Sequence, residues 1–214
     1  MVLNGASLQL ETGQSLIVTG PNGVGKSTLL YTCAGITPLL KGHLSLGGSR
    51  VDSSRPEEMF RRGVRCGVVF QEGGLISNMN ALANVALPLR YHADSLGLSL
   101  GDVEERAEAA LERVGIHSRD FFSLPAHLSF GVRKRLAFAR ALALRPNYFF
   151  FDDPDVGLDR DTAAKLHEGL FQYRDDPDVT MLIATNRELL IEQVQVPCVR
   201  LEQGRIFERP MSLA

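Results

Sequence analysis

The sequence has few cysteines and no long uninterrupted apolar segment. Its three cysteines, Cys33, Cys66 and Cys198, are odd in number and lack the close spacing of a metal site. Cys33 and Cys198 lie among apolar residues, and we expect them to be reduced core residues of a cytosolic protein. No apolar run reaches the roughly 18 residues of a membrane span, and no basic segment followed by an apolar one marks a signal peptide. Composition therefore predicts neither a membrane-spanning nor an exported chain.

An excess of basic charge is also missing. The formal net charge is −2, whereas a nucleic-acid-binding surface is usually basic overall. Two local basic clusters, Arg61-Arg62 and Arg133-Lys134-Arg135, are short enough to be solvated helix faces. Hydrophobic residues make up 44% and charged residues 22% of the 214 residues, an ordinary globular composition. The length fits one large domain or two small lobes, each able to bury a core.

The most informative segment is glycine-rich and spans residues 20–28. It fits the pattern G-x-x-x-x-G-K-[ST] and lies between a β-prone apolar run, residues 15–19, and a helix-compatible run, residues 27–34. Glycines let successive N–H groups turn inward, where they and the helix N-terminus meet a polyphosphate. In this pattern the lysine reaches the β- and γ-phosphates and the serine hydroxyl ligates Mg²⁺. We therefore expect a nucleotide to contact Gly20, Pro21, Asn22, Gly23, Val24, Gly25, Lys26, Ser27 and Thr28.

A second segment places carboxylates after an apolar strand. Residues 147–151 are largely aromatic and are followed at once by Asp152 and Asp153. Alone, such a run is often only a strand that leads into a turn. Beside a phosphate loop, however, the Mg²⁺ shell needs an acidic partner at this end of a strand. Asp152 is therefore the predicted Mg²⁺ residue.

The rest of the chain alternates between β/α and purely helical patterns. Helices are predicted from about residue 80 to 145, including an amphipathic one over 102–114 and a long one capped by Ser129. Earlier, a helix starts at Pro56. The predicted strands span residues 2–10, 42–48, 66–70, 148–151, 179–184, 197–201 and 205–208. This order indicates an α/β core interrupted by a helical lobe.

Taken together, these motifs resemble an ABC-type ATP-binding subunit over nearly the whole chain. Gln71 stands where that family has its Q-loop glutamine. Residues 128–132, Leu-Ser-Phe-Gly-Val, resemble the family's LSGGQ signature, and residues 135–142 continue the same pattern. Residues 156–159, Val-Gly-Leu-Asp, resemble its D-loop.

The resemblance implies a P-loop NTPase (RecA-like) α/β core with an inserted helical lobe and an N-terminal antiparallel β portion. Residues 1–214 would form one ATP-binding domain, with residues 1–71 and 146–214 as core and about 72–145 as lobe. It further implies ATP and Mg²⁺ as ligands, an integral-membrane permease subunit, a second ATP-binding subunit, identical or not, and no nucleic acid. The expected location is the cytoplasmic face of the cell (inner) membrane.

The family's functional positions can be carried over residue by residue. Two subunits of this type sandwich two ATP molecules, so Ser129 and Gly131 would face the ATP of the second subunit, where a hydroxyl and a helix N-terminus can donate to a γ-phosphate. Gln71 would join Ser27 and Asp152 at the metal. Gln71, Asp153 and Asn186 occupy the catalytic positions.

A finer resemblance involves residues 70–80 and 84–90. These resemble the ATPases of Mla/Mce-type phospholipid-trafficking systems, and cell-division (FtsE-like) and lipoprotein-releasing ATPases share the second half. A generic helix of the lobe explains the same residues equally well, so both interpretations stay open. By resemblance, residues 72–89 would dock the membrane partner.

The sequence departs from the family at several functional positions. Asp153 replaces the glutamate that orients the attacking water, and Asn186 replaces the switch histidine. Phe130 and Val132 replace a glycine and the glutamine of the signature; Phe130 either faces the opposing ATP or turns into the lobe core. Met1 falls after the point where the family has an aromatic residue that stacks on adenine, so the start is truncated or the adenine grip is weak. We therefore expect slow hydrolysis.

Two other functions compete with that of a transporter ATPase. One is a degenerate ABC nucleotide-binding switch, FtsE-like or regulatory, that binds ATP and dimerises with little hydrolysis. The other is a DNA-repair ABC ATPase, which the compact lobe disfavours because it lacks long coiled-coil or zinc-bearing insertions.

Overall fold

The computed structural model describes residues 2–52 and 55–208. The helices are α1 (Lys26–Cys33), α2 (Pro56–Arg61), α3 (Ala81–Tyr91), α4 (Ala93–Leu96), α5 (Leu100–Arg113), α6 (Phe130–Ala143), α7 (Arg160–Arg174) and α8 (Glu188–Val194). The strands are β1 (Ser15–Thr19), β2 (Ser45–Leu46), β3 (Ser49–Arg50), β4 (Cys66–Val69), β5 (Tyr148–Asp152), β6 (Thr180–Ala184), β7 (Cys198–Glu202) and β8 (Arg205–Glu208). None of the helices in the described ranges is long and apolar enough to cross a membrane.

The centre of the fold is a six-stranded sheet in the order β4-β5-β6-β1-β7-β8. Its pairs are parallel except for β7 with β8. The register places Val18, Ala184 and Asp152 in one row across β1, β6 and β5. The carboxyl ends of these three strands therefore meet at one edge, which is where α/β sheets bind ligands.

Both faces of the sheet are covered, as expected for buried parallel strands. On one face, Phe149 and Phe151 of β5 pack with Phe138 of α6 and with apolar residues of α7 and α8. On the other face, Leu29 and Leu30 of α1 pack against β1, β5 and β6. Strands β1 and β6 are buried at every position, so their short apolar runs are core strands. The predicted α/β core is confirmed.

Helices α3, α5 and α6 pack around a separate apolar core, in the part of the chain between β4 and β5. It is built largely from alanine and leucine, and Leu111 and Leu136 are fully buried in it. Helix α6 faces both ways, because Phe138 and Leu142 belong to the core against the sheet. The inserted helical lobe predicted from the sequence is present.

The strand predicted for residues 2–10 is wrong. Residues 2–14, all of which the structure describes, contain no strand. Leu3, Leu8 and Leu10 do pack partly buried against the sheet, which explains their alternation. The backbone of this segment bonds from Asn4 N to Gly204 O (2.9 Å), at the β7–β8 turn, instead of entering a ladder. Among residues 2–52, antiparallel structure is limited to the short β2–β3 pair.

A buried asparagine fixes the loop that joins β4 to α3. Asn84 on α3 is fully buried, and its Oδ1 accepts from Ile76 N at 2.8 Å. Its Nδ2 lies within hydrogen-bond distance of three carbonyls, those of Ile76, Met79 and Asn80 (2.9–3.1 Å). A side-chain amide has two donors and an acceptor, so one residue satisfies the turn that precedes the helix. Within residues 84–90, this asparagine therefore has a structural role.

We expect Asn84→Ala to lower the free energy of unfolding by about 1–3 kcal/mol, because it leaves buried carbonyl and N–H groups without partners. Urea denaturation followed by circular dichroism measures this. The control is Asn78→Ala, at an exposed position of the same loop. Equal stabilities of the two variants would contradict the role of Asn84.

Candidate functional site

The phosphate loop joins β1 to α1 and needs glycine at two positions. Gly20 has φ 148°, and a Cβ there would lie 2.3 Å from the carbonyl oxygen of Leu201. Gly25 has φ 109°, in the left-handed region, and a Cβ there would lie 2.4 Å from Cγ1 of Val2. Side chains at either position would collide with neighbouring atoms. The loop can therefore present its backbone N–H groups inward, ahead of α1.

Lys26 begins α1 and folds back over this loop. Its Nζ donates to Gly20 O at 2.9 Å and to Pro21 O at 3.4 Å, and the residue is only 7% exposed. A lysine ammonium is a compact charge with three donors, so it can exchange these carbonyls for phosphate oxygens. The geometry places the cation of the motif at the mouth of the loop.

Asp152, at the end of β5, lies beside the start of α1. Its Oδ1 accepts from Ser27 Oγ at 2.9 Å and its Oδ2 from the Tyr31 hydroxyl at 2.6 Å. Burial, followed by the hydrogen bond to Asp152, raises the pKa of Tyr31, so its hydroxyl remains a donor. Hydroxyl and carboxylate oxygens are hard donors of the kind that Mg²⁺ takes beside substrate phosphates. Ser27 and Asp152 therefore fit a magnesium site.

Asp153 has an unusual backbone conformation. Its φ is 42°, uncommon for a residue other than glycine, and its N–H donates to Ala184 O at 2.8 Å. Burial raises the pKa of its carboxyl, and a hydrogen bond from Thr185 and the charge of Lys26 act in the opposite direction. The Asp153 carboxyl is therefore bonded to Thr185 and lies within electrostatic reach of Lys26.

Asn186 bridges β6 to the phosphate loop. Its Oδ1 accepts from Gly20 N at 3.0 Å, and its Nδ2 lies 3.3 Å from Asn22 Oδ1. The three strand ends thus bring Asn186, Asp152 and Asp153 to the loop that the sequence predicted as the nucleotide site. Each of these residues was named from the sequence, and the fold gathers them at one edge.

Gln71 follows β4 at the same edge of the sheet as the phosphate loop, and side chains of α6 hold its backbone in place. The ammonium of Lys134 donates to the main-chain carbonyl of Gln71. Arg140 donates to Gly74 O at 2.6 Å and to Gly73 O at 2.9 Å. Burial lowers the pKa of both cations. Two basic side chains of α6 therefore hold the loop that carries Gln71.

Ser129 and Gly131 lie at the N-terminus of α6, and their contacts are with helices. Ser129 caps α6 by accepting from Val132 N at 3.3 Å, as predicted. A Cβ on Gly131 would lie 2.9 Å from Cγ2 of Thr162 on α7. Within one chain, the start of α6 is thus packed closely against α7.

Phe130 does not turn into the core of the lobe. It is 37% exposed, and its ring lies so close to Gly157 that a Cβ there would be 2.9 Å from Phe130 Cε1. Arg133 and Lys134 lie 5.7 and 5.6 Å from the ring centroid, within cation–π range. The alternative of an ordinary core residue is therefore wrong. The ring packs between α6 and the loop after β5.

Several residues of the site escaped the sequence analysis. Tyr31 lies one helical turn after Ser27, a spacing that puts both hydroxyls on one side of α1 and could have revealed it. Lys134 and Arg140 are cations within an apolar helix pattern, although the sequence predicts a solvated face for the cluster that contains Lys134. The three cysteines are free thiols, and Cys33 and Cys198 pack half-buried against the two cores that cover the sheet. Burial raises the pKa of Cys33 to about 11.

Comparison with known proteins gives consistent matches. A family model described as "ABC transporter" matches residues 3–156. The chain is 36% identical over 192 residues to the lipoprotein-releasing system ATP-binding protein LolD of Acinetobacter baylyi, covering 89% of this chain and 82% of that protein. It is 35% identical over 208 residues to the uncharacterized ABC transporter ATP-binding protein YbbA of Escherichia coli K12, covering 97% and 89%. A solved dimer of the ATP-binding cassette MJ0796, in a post-hydrolysis state bound to ADP and Pi, superposes with a TM-score of 0.86 at 26% identity, covering 97% of this chain and 90% of that one.

We expect Lys26→Ala to weaken Mg-nucleotide binding by at least about tenfold, because a charge-assisted hydrogen bond to phosphate contributes roughly 1.5–3 kcal/mol. Titration calorimetry with Mg-ATP measures the change. Lys165→Ala, at an exposed position of α7, is the matched control. If Lys26→Ala binds Mg-ATP like the control, the phosphate-loop assignment is wrong.

Proposed function

The chain belongs to the ABC transporter family as an ATP-binding subunit, and from that premise we propose that it hydrolyses ATP slowly, within a dimer that drives an integral-membrane permease. The observation that carries the proposal is the arrangement of Lys26, Ser27 and Asp152 around the phosphate loop. The family implies ATP hydrolysis. Its reduced rate in this chain is our own proposal, and it rests on Asp153 and Asn186.

The proposed roles follow from position. The N–H groups of residues 20–28 and the ammonium of Lys26 bind the β- and γ-phosphates. Ser27 and Asp152, with Gln71, would hold Mg²⁺, which when bound neutralises charge on the phosphates. Asp153 orients the attacking water, and Asn186 donates a hydrogen bond near the γ-phosphate. Catalysis of phosphoryl transfer is mostly positioning and electrostatics, so these distances decide the rate.

Two of the three catalytic positions, Asp153 and Asn186, carry a shorter side chain than the family has there. Aspartate is one methylene shorter than glutamate, so its oxygens end about 1.5 Å earlier along an extended chain. Asn186 keeps a donor but cannot become cationic as histidine can. A misplacement near 1 Å can cost about a hundredfold in rate. These losses fall on the transition state more than on ATP binding, so turnover falls while affinity stays.

We propose that the active form is a dimer in which the α6 N-terminus of one subunit faces the ATP of the other. Ser129 and Gly131 would then donate to the γ-phosphate from α6. The dimeric assembly of the MJ0796 cassette supports this arrangement. A dimer of the purified chain in sedimentation experiments with ATP would show that two identical subunits suffice. The domain proposal, with residues 72–145 as the lobe, is supported by the separate core of α3, α5 and α6.

We propose that the chain works at the cytoplasmic face of the cell membrane, docked through residues 72–89. The candidate cargo is a lipid or lipid-linked molecule. The observations that favour it are the similarity to LolD, named for lipoprotein release, and the likeness of residues 70–80 and 84–90 to phospholipid-trafficking ATPases. Co-purification with the permease, followed by transfer of a labelled phospholipid or lipopeptide between vesicles, distinguishes the two cargoes. Transfer of neither contradicts a lipid-bearing cargo.

A second candidate function is a nucleotide-gated switch that binds ATP and dimerises with little hydrolysis. The replacement of the glutamate and the histidine by Asp153 and Asn186 favours it. Steady-state ATP turnover with and without the membrane partner separates the two. Turnover that stays negligible with the partner present supports the switch.

We expect Phe130→Gly to tighten ATP-dependent dimerisation, because a large ring where a second ATP approaches costs about 1–3 kcal/mol of overpacking. Sedimentation with and without ATP measures the dimer fraction. Phe122→Gly, at a 72%-exposed position of the lobe, is the control. An unchanged monomer–dimer equilibrium in Phe130→Gly would show that the ring does not obstruct the partner.

We expect the double change Asp153→Glu with Asn186→His to raise kcat by at least about tenfold, since glutamate restores the missing reach of about 1.5 Å and histidine can become cationic. The affinity for ATP should change little. Phosphate release and calorimetry measure the two quantities. A wild type with rapid turnover that the double change does not increase contradicts slow hydrolysis.

A further inference from the structure

Asp155 is a carboxylate buried behind the proposed catalytic residues. It lies in the loop between β5 and α7, two residues after Asp153, and it has no exposed surface. A buried charge costs several kcal/mol unless it is paired and hydrogen-bonded. The groups that pair with the Asp155 carboxylate therefore indicate which segments of the chain this residue connects.

One oxygen of Asp155 contacts two nitrogen atoms from different elements. Its Oδ2 lies 3.1 Å from Nε of Arg187, in the loop between β6 and α8, and 3.2 Å from Nε2 of His167 on α7. His167 is itself 1% exposed, and its Nδ1 lies 2.5 Å from Oε1 of Gln193 on α8. The other oxygen, Oδ1, is buried without a hydrogen-bond partner among the described residues. The carboxylate is thus fixed through one oxygen, by α7 and by the loop after β6.

Arg187 is the residue directly after Asn186. Its backbone N–H donates to Thr185 Oγ1 at 3.1 Å, and the Thr185 side chain bonds in turn to the carboxyl of Asp153. Asn186 sits between these two anchors and bonds to Gly20 N. The three consecutive residues of this loop are therefore tied to Asp153, to the phosphate loop and to Asp155.

We propose that the Asp155–Arg187 ion pair is a positioning clamp that holds the loop carrying Asn186 against the loop carrying Asp153. The pair links the two loops a second time: Thr185 bonds to Asp153, and Arg187 pairs with Asp155. Without this second attachment the loop can rotate about the Thr185 contact, and Asn186 moves relative to Asp153. This inference rests on the proposed function of that site.

Burial and charge favour a positioning role over simple packing. Replacing a buried ion pair by apolar residues is often neutral or stabilising, so packing alone gives little reason for Asp155. A carboxylate and a guanidinium fix direction as well as distance, because the guanidinium is planar. The Arg187 side chain is 39% exposed, so its removal opens no cavity, and adding Asp155→Asn removes the buried charge that it leaves unpaired.

The test compares Arg187→Gln and Arg187→Lys with Arg62→Gln. The control removes an ion pair of similar length (3.0 Å, to Glu58), which lies at α2. Single-turnover phosphate release gives the rate, calorimetry with Mg-ATP gives the affinity, and thermal melting gives the folded fraction. NMR of the Asn186 side-chain amide, assigned by comparison with Asn186→Asp, reports the position of that group directly.

With the clamp broken, Arg187→Gln should lose at least about tenfold in rate, as expected for a displacement approaching 1 Å. ATP affinity should stay within about twofold, which separates rate from binding. The Asn186 amide resonance should shift, Arg187→Lys should recover part of the rate, and Arg62→Gln should match the wild type.

Adding Asp155→Asn tests whether the two residues act together. If they form one clamp, the double variant Asp155→Asn with Arg187→Gln is no slower than Arg187→Gln alone. A rate of Arg187→Gln within about twofold of wild type overturns the proposal, as does an unshifted Asn186 amide. A parallel loss of rate and ATP affinity overturns it as well. Lys26→Ala is run alongside: if that variant retains nucleotide binding, the proposed function itself has failed, independently of the clamp.

Discussion

The whole site depends on the parallel pairing of β5, β6 and β1. Parallel strands end at the same edge, so the register that aligns Asp152, Ala184 and Val18 also aligns the segments that leave these strands. Those segments are the loop that begins with Asp153, the loop over residues 185–187 and the phosphate loop. A slip of one residue in β5 would turn Asp152 to the other face of the sheet. Packing on both faces opposes the slip, because it would exchange Phe149 and Phe151 with Phe150 between two differently shaped cores.

The phosphate loop and its carboxylate were predictable because their chemistry is local. Glycine at fixed spacing, a lysine and a strand that ends in aspartate each carry a physical reason within a few residues, and the fold brings them together as expected. The conformation of residues 2–10 was not predictable. Alternation reveals which side chains are buried, but a strand also needs a neighbour to pair with. Here the neighbour is a turn at Gly204 instead of an edge.

Polar contacts between residues far apart in the chain could not be predicted from the sequence either. Asp155, His167 and Arg187 belong to three elements, and nothing in their spacing indicates that they meet. The same holds for Lys134, whose charge suggested solvent although it is 2% exposed and bonded to a carbonyl beyond β4. The orientation of the Phe130 ring could not be predicted either, since a bulky residue at a helix start can turn to either side. Its contact with Gly157 depends on where the loop after β5 runs.

The phosphate loop satisfies several of its own polar groups. Lys26 bonds to two carbonyls of its own loop, and the N–H of Gly20 bonds to Asn186. Phosphate bound at the proposed site would exchange partners with these groups, and the loop would give up internal hydrogen bonds as it gained external ones. Phosphate at the proposed site would also compete with Asn186 Oδ1 for the Gly20 N–H, so its binding would free that oxygen. The same loop would therefore bind the ligand and release Asn186 from the Gly20 N–H.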